Sequence, residues 1–547
     1  MRHRSSHSIV WIAGLLALLP LGISAQTTVY LERSNTLSFD EERLPDAQIL
    51  RGDVCFRHDS ALMFCDSAYF FEKTNSLTAF SHVRIVQGDT LSAYGDVLYY
   101  DGNTRIARLR RHVRLIHRGT TLTTNSLNYD RQRNLAYYFS GGVIRDSLNT
   151  LVSQWGQYTP PTSQAVFRHD VRLDNNRFVL TADTLCYNTG SKRADLVGPT
   201  TIVYEGETTI LSSLGIYHTD TEQSTLYQRS RVLHSDGQSL TGDTIYYDKR
   251  IGYGRVRGHM EAADSAQQAT LYGNYGELYE TDNHGYATGN ALMVDRSDSA
   301  AYTYIHADTL FTEQCPYPEG DSTWRRVRGH HHVRIYRTDL QAVCDSAVYI
   351  GRDSLFSLYT LPVCWSDSQQ ISADSIRIYI RDGAVNRMEA EGQCLAVRQL
   401  PDERYNQMAG KQMTAYITDN ELRRLDVSGN AETLFYPDDR GELIGLNATV
   451  SSNVSLYFAD RHIEHILFTT QTTGTLYPLD QIPEGQDRLA GFFWADEERP
   501  RGPQDVFRHP APTPRTGAPA PQAVEPAAAT QQAPAPPVKQ KTNKRKR

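Results

Sequence analysis

Residues 91–117 read LSAYGDVLYYDGNTRIARLRRHVRLIH, and this stretch contains both halves of a repeated unit. The first half has the form apolar–x–small–Asp–x–apolar–x–Tyr and is centred on Asp96. In the second half, His112-Val113-Arg114-Leu115, apolar residues alternate with charged ones. A period of two is typical of a β-strand with one buried and one solvated face. The polar turn DGNTR separates the halves, so the unit predicts two strands joined by a turn.

The first half of the unit recurs along the chain at a nearly constant spacing. Its anchors fall at residues 66, 96, 125, 155, 183, 213 and 243, which are 28 to 30 residues apart, and later steps stretch to as much as 38. No segment of the body shows helical periodicity. Repetition at a fixed period indicates a repeat architecture. The sequence therefore predicts an elongated all-β array of two twisted antiparallel sheets with about 13 repeats.

The repeat also predicts a bend in its first strand. Apolar residues stand three positions before the Asp and two positions after it, and these offsets have opposite parity. A straight strand cannot point both at one core, so a bulge is expected at the Asp. The residue before the Asp is small, as a crowded corner requires: Gly95, Ala182, Gly242, Ala307 and Ala373.

Both ends of the chain differ from the body. A basic start, an apolar run over residues 9–19 and Ile23-Ser24-Ala25 predict a secretory signal peptide cleaved near Ala25, and hence a periplasmic protein, with association with the outer membrane left open. From about residue 511 the chain is rich in Pro and Ala and ends KQKTNKRKR, which predicts a disordered basic tail. The full chain has a net charge of −7, but residues 26–500 contain 45 basic and 61 acidic residues. An acidic body argues against nucleic acid as its partner.

These observations divide the chain into five segments. They are a signal peptide (1–25), an N-terminal lead-in (26–50), the β-repeats (51–480), a C-terminal extension (481–510) and the basic tail (511–547).

The repeated units resemble the OstA-like or LptA-like family of lipopolysaccharide-transport proteins. The matching pattern is L-x-A-D-x-L-x-Y followed by G-x-V-x-I, and LAGFFWADEERPRG (489–502) resembles the end of the long OstA-like proteins of Bacteroidetes. The resemblance implies a β-jellyroll whose groove holds the acyl chains of lipid A. It also implies an inner-membrane lipopolysaccharide extractor and an outer-membrane insertase as partners, and it implies no cofactor. Self-association end to end is left open.

Candidate lipid-binding positions are the inward apolar residues of the repeats, whereas the alternating Arg84, Arg114 and Arg334 are expected to face outward. The alternative for each apolar position is ordinary core packing. The candidates are Val83, Ile85, Leu98, Val113, Leu115, Leu127, Val171, Leu173, Leu185, Ile245, Leu310, Val333, Ile335 and Ile376.

Other functions are weaker hypotheses. A structural spacer or surface-binding repeat protein is the main alternative. A polysaccharide-active enzyme is less favoured, because the Asp position holds Asn125, Trp155 or Ser213 in other copies. The run from His330 to His332 lacks further metal ligands, so no metal site is predicted. Among the seven cysteines, a disulfide between Cys364 and Cys394 is a minor hypothesis.

Overall fold

The computed structural model describes residues 28–89, 91–299, 301–318, 322–381, 383–419, 421–439, 441–459 and 462–514. The predicted signal peptide and most of the predicted tail lie outside these ranges. About 70% of the described residues lie in strands and 3% in short 3-10 helices, with no α-helix among them. The predicted all-β repetitive fold is confirmed. Within the described ranges, no helix is long and apolar enough to cross a membrane.

The described residues form two compact units. The first contains residues up to 338 with 345–356 and 502–507, and the second contains residues 339–344, 357–501 and those from 508 onward. Cys364 and Cys394 both lie in the described ranges as free thiols, so the hypothetical disulfide between them is wrong.

The first strands include two that lie in the predicted lead-in and pair with the third. Strands β1 to β12 are Tyr30–Arg33, Thr36–Phe39, Gln48–His58, Ala61–Phe71, Ser76–Gln87, Leu91–Asp101, Ile106–His117, Thr120–Asp130, Leu135–Tyr138, Gly142–Arg145, Asn149–Ser153 and Trp155–Thr159. Strands β13 to β24 are Gln164–Asn175, Phe178–Asn188, Arg193–Tyr204, Thr208–His218, Gln223–His234, Gln238–Asp248, Tyr253–Asp264, Ala269–Tyr279, His284–Asp295, Thr303–Pro316, Thr323–Tyr336 and Gln341–Ile350.

The remaining strands, β25 to β36, are Leu355–Tyr359, Val363–Ser366, Gln369–Ser372, Ser375–Arg381, Ala384–Gln399, Tyr405–Thr418, Glu421–Phe435, Asp438–Asp439, Glu442–Leu443, Leu446–Ala459, His462–Thr469 and Thr473–Tyr477. Except for β32 and β33, which pair with each other, the strands belong to one antiparallel sheet. The 3-10 helices are Pro160–Thr162, Gly351–Asp353, Leu479–Gln481, Asp496–Glu498 and Asp505–Phe507.

A bulge divides most long strands of the first unit at the predicted corner. The register between β6 and β7 shifts between Tyr94 and Val97, on either side of Asp96. Equivalent shifts occur at Asp183 and Asp243. Because the shift reverses side-chain parity, Ala93 and Leu98 both point inward and are 1% and 0% exposed. The predicted bulge is therefore confirmed.

In the partner strand, the corner is formed by two consecutive residues with a left-handed backbone conformation. His82 and His112 have φ of 48° and 47°, and each follows another residue with positive φ. Residues of this conformation are usually Gly, Asn, Asp or His, which explains the His/Gly–x–apolar pattern of the second half-unit. The corner Asp accepts a hydrogen bond from the His: Asp66 with His82 and Asp96 with His112 are both 2.6 Å apart.

The bulges separate the first unit into two layers that face each other. Layer 1 contains the segments equivalent to Val97–Asp101 of β6, and layer 2 contains those equivalent to Leu91–Tyr94. At the ends remote from the corner, Tyr100 of layer 1 and His58 of layer 2 are 2.5 Å apart. Each strand therefore folds over on itself, and both inner faces contribute to one core.

Part of the outer face of layer 2 is covered by residues near the C-terminus. The helix Asp505–Phe507 packs on β22 and β23, and the Phe507 ring lies 4.9 Å from that of His306. Arg334, which pairs directly with His306, is only 5% exposed. Arg334 therefore faces outward as predicted, but a later segment of the chain covers it, whereas Arg84 and Arg114 face outward and are exposed.

In the second unit, a C-terminal strap (residues 487–501) crosses the sheet over a row of directly paired residues. The row is Gln341, Trp365, Gln370, Val397 and Gln407. Three buried glutamines of this row form hydrogen bonds with successive parts of the strap. Gln407 bonds the backbone of Asp487 and Leu489, Gln370 bonds that of Phe493 and Ala495, and Gln341 accepts from Arg499.

The corner predicts a measurable titration. The hydrogen bond that His82 donates to Asp66, together with the charge of Asp66, raises the pKa of His82 above its ordinary value of about 6.5. The stability that this pair contributes is therefore present below pH 6.5 and is lost as the pH rises through the raised pKa. NMR titration should show this raised pKa, and Asp66→Asn should lower it while Asp183→Asn, at a distant corner, should not. An unchanged His82 pKa in Asp66→Asn would contradict the assignment.

Candidate functional site: an apolar cavity between the layers

The inner face of layer 1 carries a row in which tyrosine and a small residue alternate. Residues in this row pair directly from strand to strand, so it crosses the layer at right angles to the strands. From β6 to β18 the row reads Tyr100, Ala107, Tyr129, Ala136, Tyr158, Ala165, Tyr187, Ala194, Tyr217, Ser224 and Tyr247. The small residues leave room for the neighbouring rings, which lie buried in the core.

Most of these tyrosines bond across to the remote edge of layer 2 and so close the space between the layers. The Tyr129 hydroxyl lies 3.3 Å from Gln87, Tyr158 lies 2.9 Å from His117, and Tyr187 lies 3.3 Å from Asn149. Burial raises the pKa of Tyr187 to about 12, which keeps this hydroxyl protonated at neutral pH. We call these contacts, with those of Tyr100 and Tyr217, the tyrosine clasps.

Ion pairs reinforce the clasps at the same edge. Lys192 Nζ lies 2.6 Å from an Asp146 oxygen, and Arg177 pairs with Glu222. In both pairs one partner stands in a turn of layer 1 and the other in a turn of layer 2. A charged group with little exposure is stable only when it is paired, so these pairs favour the closed arrangement of the layers.

The clasps stop after Tyr217. Tyr247 donates instead to Glu280 of its own layer, at 2.9 Å, and the row continues as Gly254, Leu278, Gly285 and Thr312. Among the described residues, no hydrogen bond or ion pair joins the layers between the Arg177–Glu222 pair and the next contact, Asp264 with Arg325. The remote edge is therefore unclasped over strands β17 to β22.

A cavity of about 370 Å³ lies between the layers at this unclasped edge. This volume falls within the range of roughly 300–1,000 Å³ that is typical of ligand pockets. Apolar side chains of both layers form its inner part: Leu240, Leu271, Met293, Leu278, Leu310 and Val327.

Shorter side chains account for the cavity in layer 2 as well. One inner position of the bulged strands holds Ile85, Leu115, Leu173 and Ile202 in turn, and then Val232 and Ala262. Both of the shorter residues line the cavity. Each missing methylene leaves unfilled space, because the backbone corners prevent the two layers from moving closer together. The cavity therefore results from local loss of side-chain volume in an otherwise regular array.

The rim of the cavity is polar. His234, Asp236 and Gln238 stand on the layer 2 side, and Glu280 and Asn283 stand on the layer 1 side. Such an arrangement, apolar within and polar at the mouth, suits an amphiphile whose chain enters the cavity while its head group stays at the rim.

The ion pair of Asp264 and Arg325 marks one end of the opening. Their closest atoms are 2.8 Å apart, and both side chains are about 15% exposed. Burial lowers the pKa of Arg325, although Asp264 opposes this shift. Arg325 Nε is buried without a hydrogen-bond partner.

The predicted lipid-binding residues all point inward, but they fall into two groups. Leu310 lines the cavity. The remaining thirteen are no more than 5% exposed and do not line it; they are Val83, Ile85, Leu98, Val113, Leu115, Leu127, Val171, Leu173, Leu185, Ile245, Val333, Ile335 and Ile376. Their role in binding lipid stays a prediction. The sequence reasoning missed most of the cavity residues, although the loss of the repeat's Tyr at Leu278 and Thr312 was a visible signal.

The histidine run takes part in the corners. His332 lies 2.9 Å from Asp308, and His331 lies 3.2 Å from Asp345. Within the described residues, no group of three or more His, Cys, Asp or Glu side chains could hold a metal ion.

The second unit contains a smaller apolar cavity of about 80 Å³, lined by residues such as Ile371, Met408, Leu425, Leu456 and Ile466. Its volume is well below that of the cavity in the first unit, so the larger one is the stronger candidate site.

The cavity predicts opposite responses to one substitution at two inner alanines. Ala262→Ile restores the side chain found at this position in other repeats, so it should raise the free energy of unfolding by about 1–2 kcal/mol. Ala194→Ile, between two clasped tyrosines, should lower it by about 1–3 kcal/mol through overpacking. Thermal and urea unfolding measure both changes. Equal destabilisation by the two variants would show that no usable space exists at Ala262.

Comparison with known proteins identifies the family. The family model described as OstA-like protein matches residues 26–183 and 168–243, a region that contains many of the corner bulges and all of the tyrosine clasps. No curated protein matches the chain. Residues 26–243 thus match the OstA-like protein family.

Proposed function

We propose that this protein binds lipopolysaccharide in the periplasm and carries it toward the outer membrane. OstA-like domains are associated with the transport of lipopolysaccharide and with tolerance of organic solvents, in a family that binds and transports rather than catalyses. The observation that carries the proposal is the apolar cavity at the unclasped edge of the first unit. The acyl chains of lipid A would occupy it.

The cavity provides the physical basis for loading. Burial of an acyl chain among Leu240, Leu271 and Met293 contributes about 0.8 kcal/mol for each methylene removed from water. Apolar packing has no directional requirement, so a chain can slide within the space between the layers. The unclasped edge supplies a lateral entry that does not require backbone hydrogen bonds of the sheet to break.

Transfer along the array would require the clasps to open in turn. Each clasp is a single hydrogen bond with a net contribution of about 0.5–1.5 kcal/mol, so a chain that buries several methylenes offsets its loss. In this scheme Ile85, Leu115 and the other core candidates contact acyl chains only while a clasp is open. An inner-membrane extractor would deliver the lipid, and an outer-membrane insertase would receive it.

The filled core between β3 and β16 favours a second candidate function, that of a structural spacer. In that case the closed layers would never admit a lipid, and the cavity would be an incidental gap.

Photo-crosslinking distinguishes these functions. A photoreactive residue at Leu271 should capture lipopolysaccharide in cells, because this side chain lines the cavity. The same probe at Arg84 or Arg114, which are exposed on the outer face of layer 2, should capture none. Probes at Ile85 and Leu115 should capture it more weakly than Leu271, since their part of the core is clasped.

Two outcomes would contradict lipid transport. Absence of lipopolysaccharide adducts at Leu271 in a folded protein would favour the spacer. Equal capture at Leu271 and at Arg84 would indicate contact with the surface only. Circular dichroism and thermal unfolding of each variant establish that the fold is retained.

A further inference from the structure

The outer face of layer 1 carries an ordered aromatic row behind the cavity. Six residues pair directly across six strands, and three of them are aromatic and three are charged. In order from β18 to β23 they are Tyr246, Arg255, Glu277, Tyr286, Phe311 and Arg328. Guanidinium groups lie over the rings at both ends, with Arg255 5.5 Å from the Tyr246 centroid and Arg328 5.5 Å from that of Phe311.

Glu277 holds neighbouring tyrosines in fixed positions. The Tyr279 hydroxyl donates to its carboxylate at 2.6 Å, and the Tyr275 hydroxyl donates to the other oxygen. Although partial burial acts in the opposite direction, hydrogen bonds from Tyr275, Tyr279, Tyr253 and Tyr286 lower the pKa of Glu277. The rings are therefore ordered before any ligand arrives, which lowers the entropic cost of binding.

The rings form a continuous surface, which we call the tyrosine platform. Its members are Tyr246, Tyr253, Tyr275, Tyr279, Tyr286 and Phe311. The centroids of Tyr246 and Tyr253 are 6.1 Å apart, those of Tyr253 and Tyr279 are 5.2 Å apart, and those of Tyr286 and Phe311 are 5.7 Å apart. All six side chains are half-buried, so ring surface remains accessible.

The platform differs from the outer row of the strands that directly precede it, β8 to β17. The same outer row in the preceding strands reads Asn128, Tyr137, Gln157, Val166, Cys186, Asp195, Ile216 and Thr225. Only one of these eight residues is aromatic. In contrast to these eight strands, the strands that enclose the cavity therefore also carry an aromatic outer face.

The platform is continuous with the mouth of the cavity. Tyr279 and His284 both line the mouth, and their rings stack at 4.6 Å with an angle of 12° between the planes. Tyr279 also contacts Tyr253 on the platform. A ligand whose chain lies in the cavity can therefore pass over this rim with its head group in contact with the outer rings.

The chemistry of the platform fits a saccharide better than an apolar surface. Its flat rings can stack on the C–H faces of sugar rings, while tyrosine hydroxyls and guanidinium groups can bond to sugar hydroxyls. On the outer face of layer 1, these strands carry Arg255, Arg257, Arg326 and Arg328 beside Asp248, Glu277 and Glu313, so guanidinium groups are present that can bond to anionic groups of a saccharide. The acidic body as a whole argues against a nucleic acid here.

We infer that the tyrosine platform binds the saccharide part of the same amphiphile whose acyl chains occupy the cavity. This inference rests on the proposed function, and it adds a second contact region on the opposite face of the same strands. The ligand class is an anionic oligosaccharide, and the lipid chain is not needed for recognition by the platform.

The test uses lipopolysaccharide from which the acyl chains have been removed by alkaline hydrolysis. The mature chain should bind this oligosaccharide saturably in isothermal titration calorimetry. Tyr246→Ala combined with Phe311→Ala should weaken the binding at least tenfold, because both ends of the row are lost. The matched control, Tyr99→Ala with Tyr137→Ala, removes aromatic residues from the same outer row in other repeats and should leave binding unchanged.

A fluorescent fatty acid measures the cavity independently in the same proteins. The platform variant should still bind it, and this result also shows that the layer remains folded. If the wild-type protein binds the oligosaccharide but not the fatty acid, the result contradicts the proposed function and leaves the inference about the platform standing. Failure of the wild-type protein to bind the oligosaccharide, or equal weakening by the platform and control variants, would overturn the inference. So would a photoreactive residue at Tyr253 that captures a protein and no saccharide in cells.

Discussion

The structure depends on the corner at which each strand changes its inward parity. A strand that folds over on itself must shift the alternation of its side chains by one residue at the fold. Without this shift, one half of the strand would expose its apolar residues to solvent. The bulge at Asp96 and its equivalents makes this change, and the left-handed residues opposite it make the matching turn in the partner strand. Because most long strands of the first unit pair with a neighbour that bends at the same level, the corners align and form the two layers.

Once the corners fix the layers, side-chain volume decides whether the space between them is full. Tyrosine alternating with alanine fills it, and the hydroxyl of each buried tyrosine then needs a partner on the opposite layer. The clasps of Tyr158 and Tyr187 satisfy this need and hold the edge closed. Leu278 has no such requirement, and Gly254 and Gly285 on either side of it leave volume unfilled. The opening thus follows from the contact of Tyr247 with its own layer and from the loss of the tyrosine at Leu278.

Much of the fold could be predicted from the sequence, because the same pattern of apolar and polar residues recurs many times along the chain. The period of the repeat and the alternation of apolar residues predicted the strands. The change of side-chain parity at Asp96 predicted their bulge. The exposure of Arg334 could not be predicted, since it depends on residues more than 160 positions later that fold back over it. The clasps were also missed: the Tyr of the repeat was evident, but its partner, such as Gln87 for Tyr129, is three strands away and belongs to the other layer.

The candidate site lies where the repeat departs from its own pattern, and a search for what the copies share does not detect it. In a repeat array each unit contacts mainly its neighbours, so a few units can lose core volume while those on either side remain closed. Here the clasped strands end at Tyr217, and Asp264 with Arg325 joins the layers again beyond the cavity. The period of two then lets the same strands carry two surfaces: in β20, Leu278 faces the cavity while Glu277 and Tyr279 face outward. The buried face and the exposed face of these strands can therefore both differ from those of other repeats while the strand register stays the same.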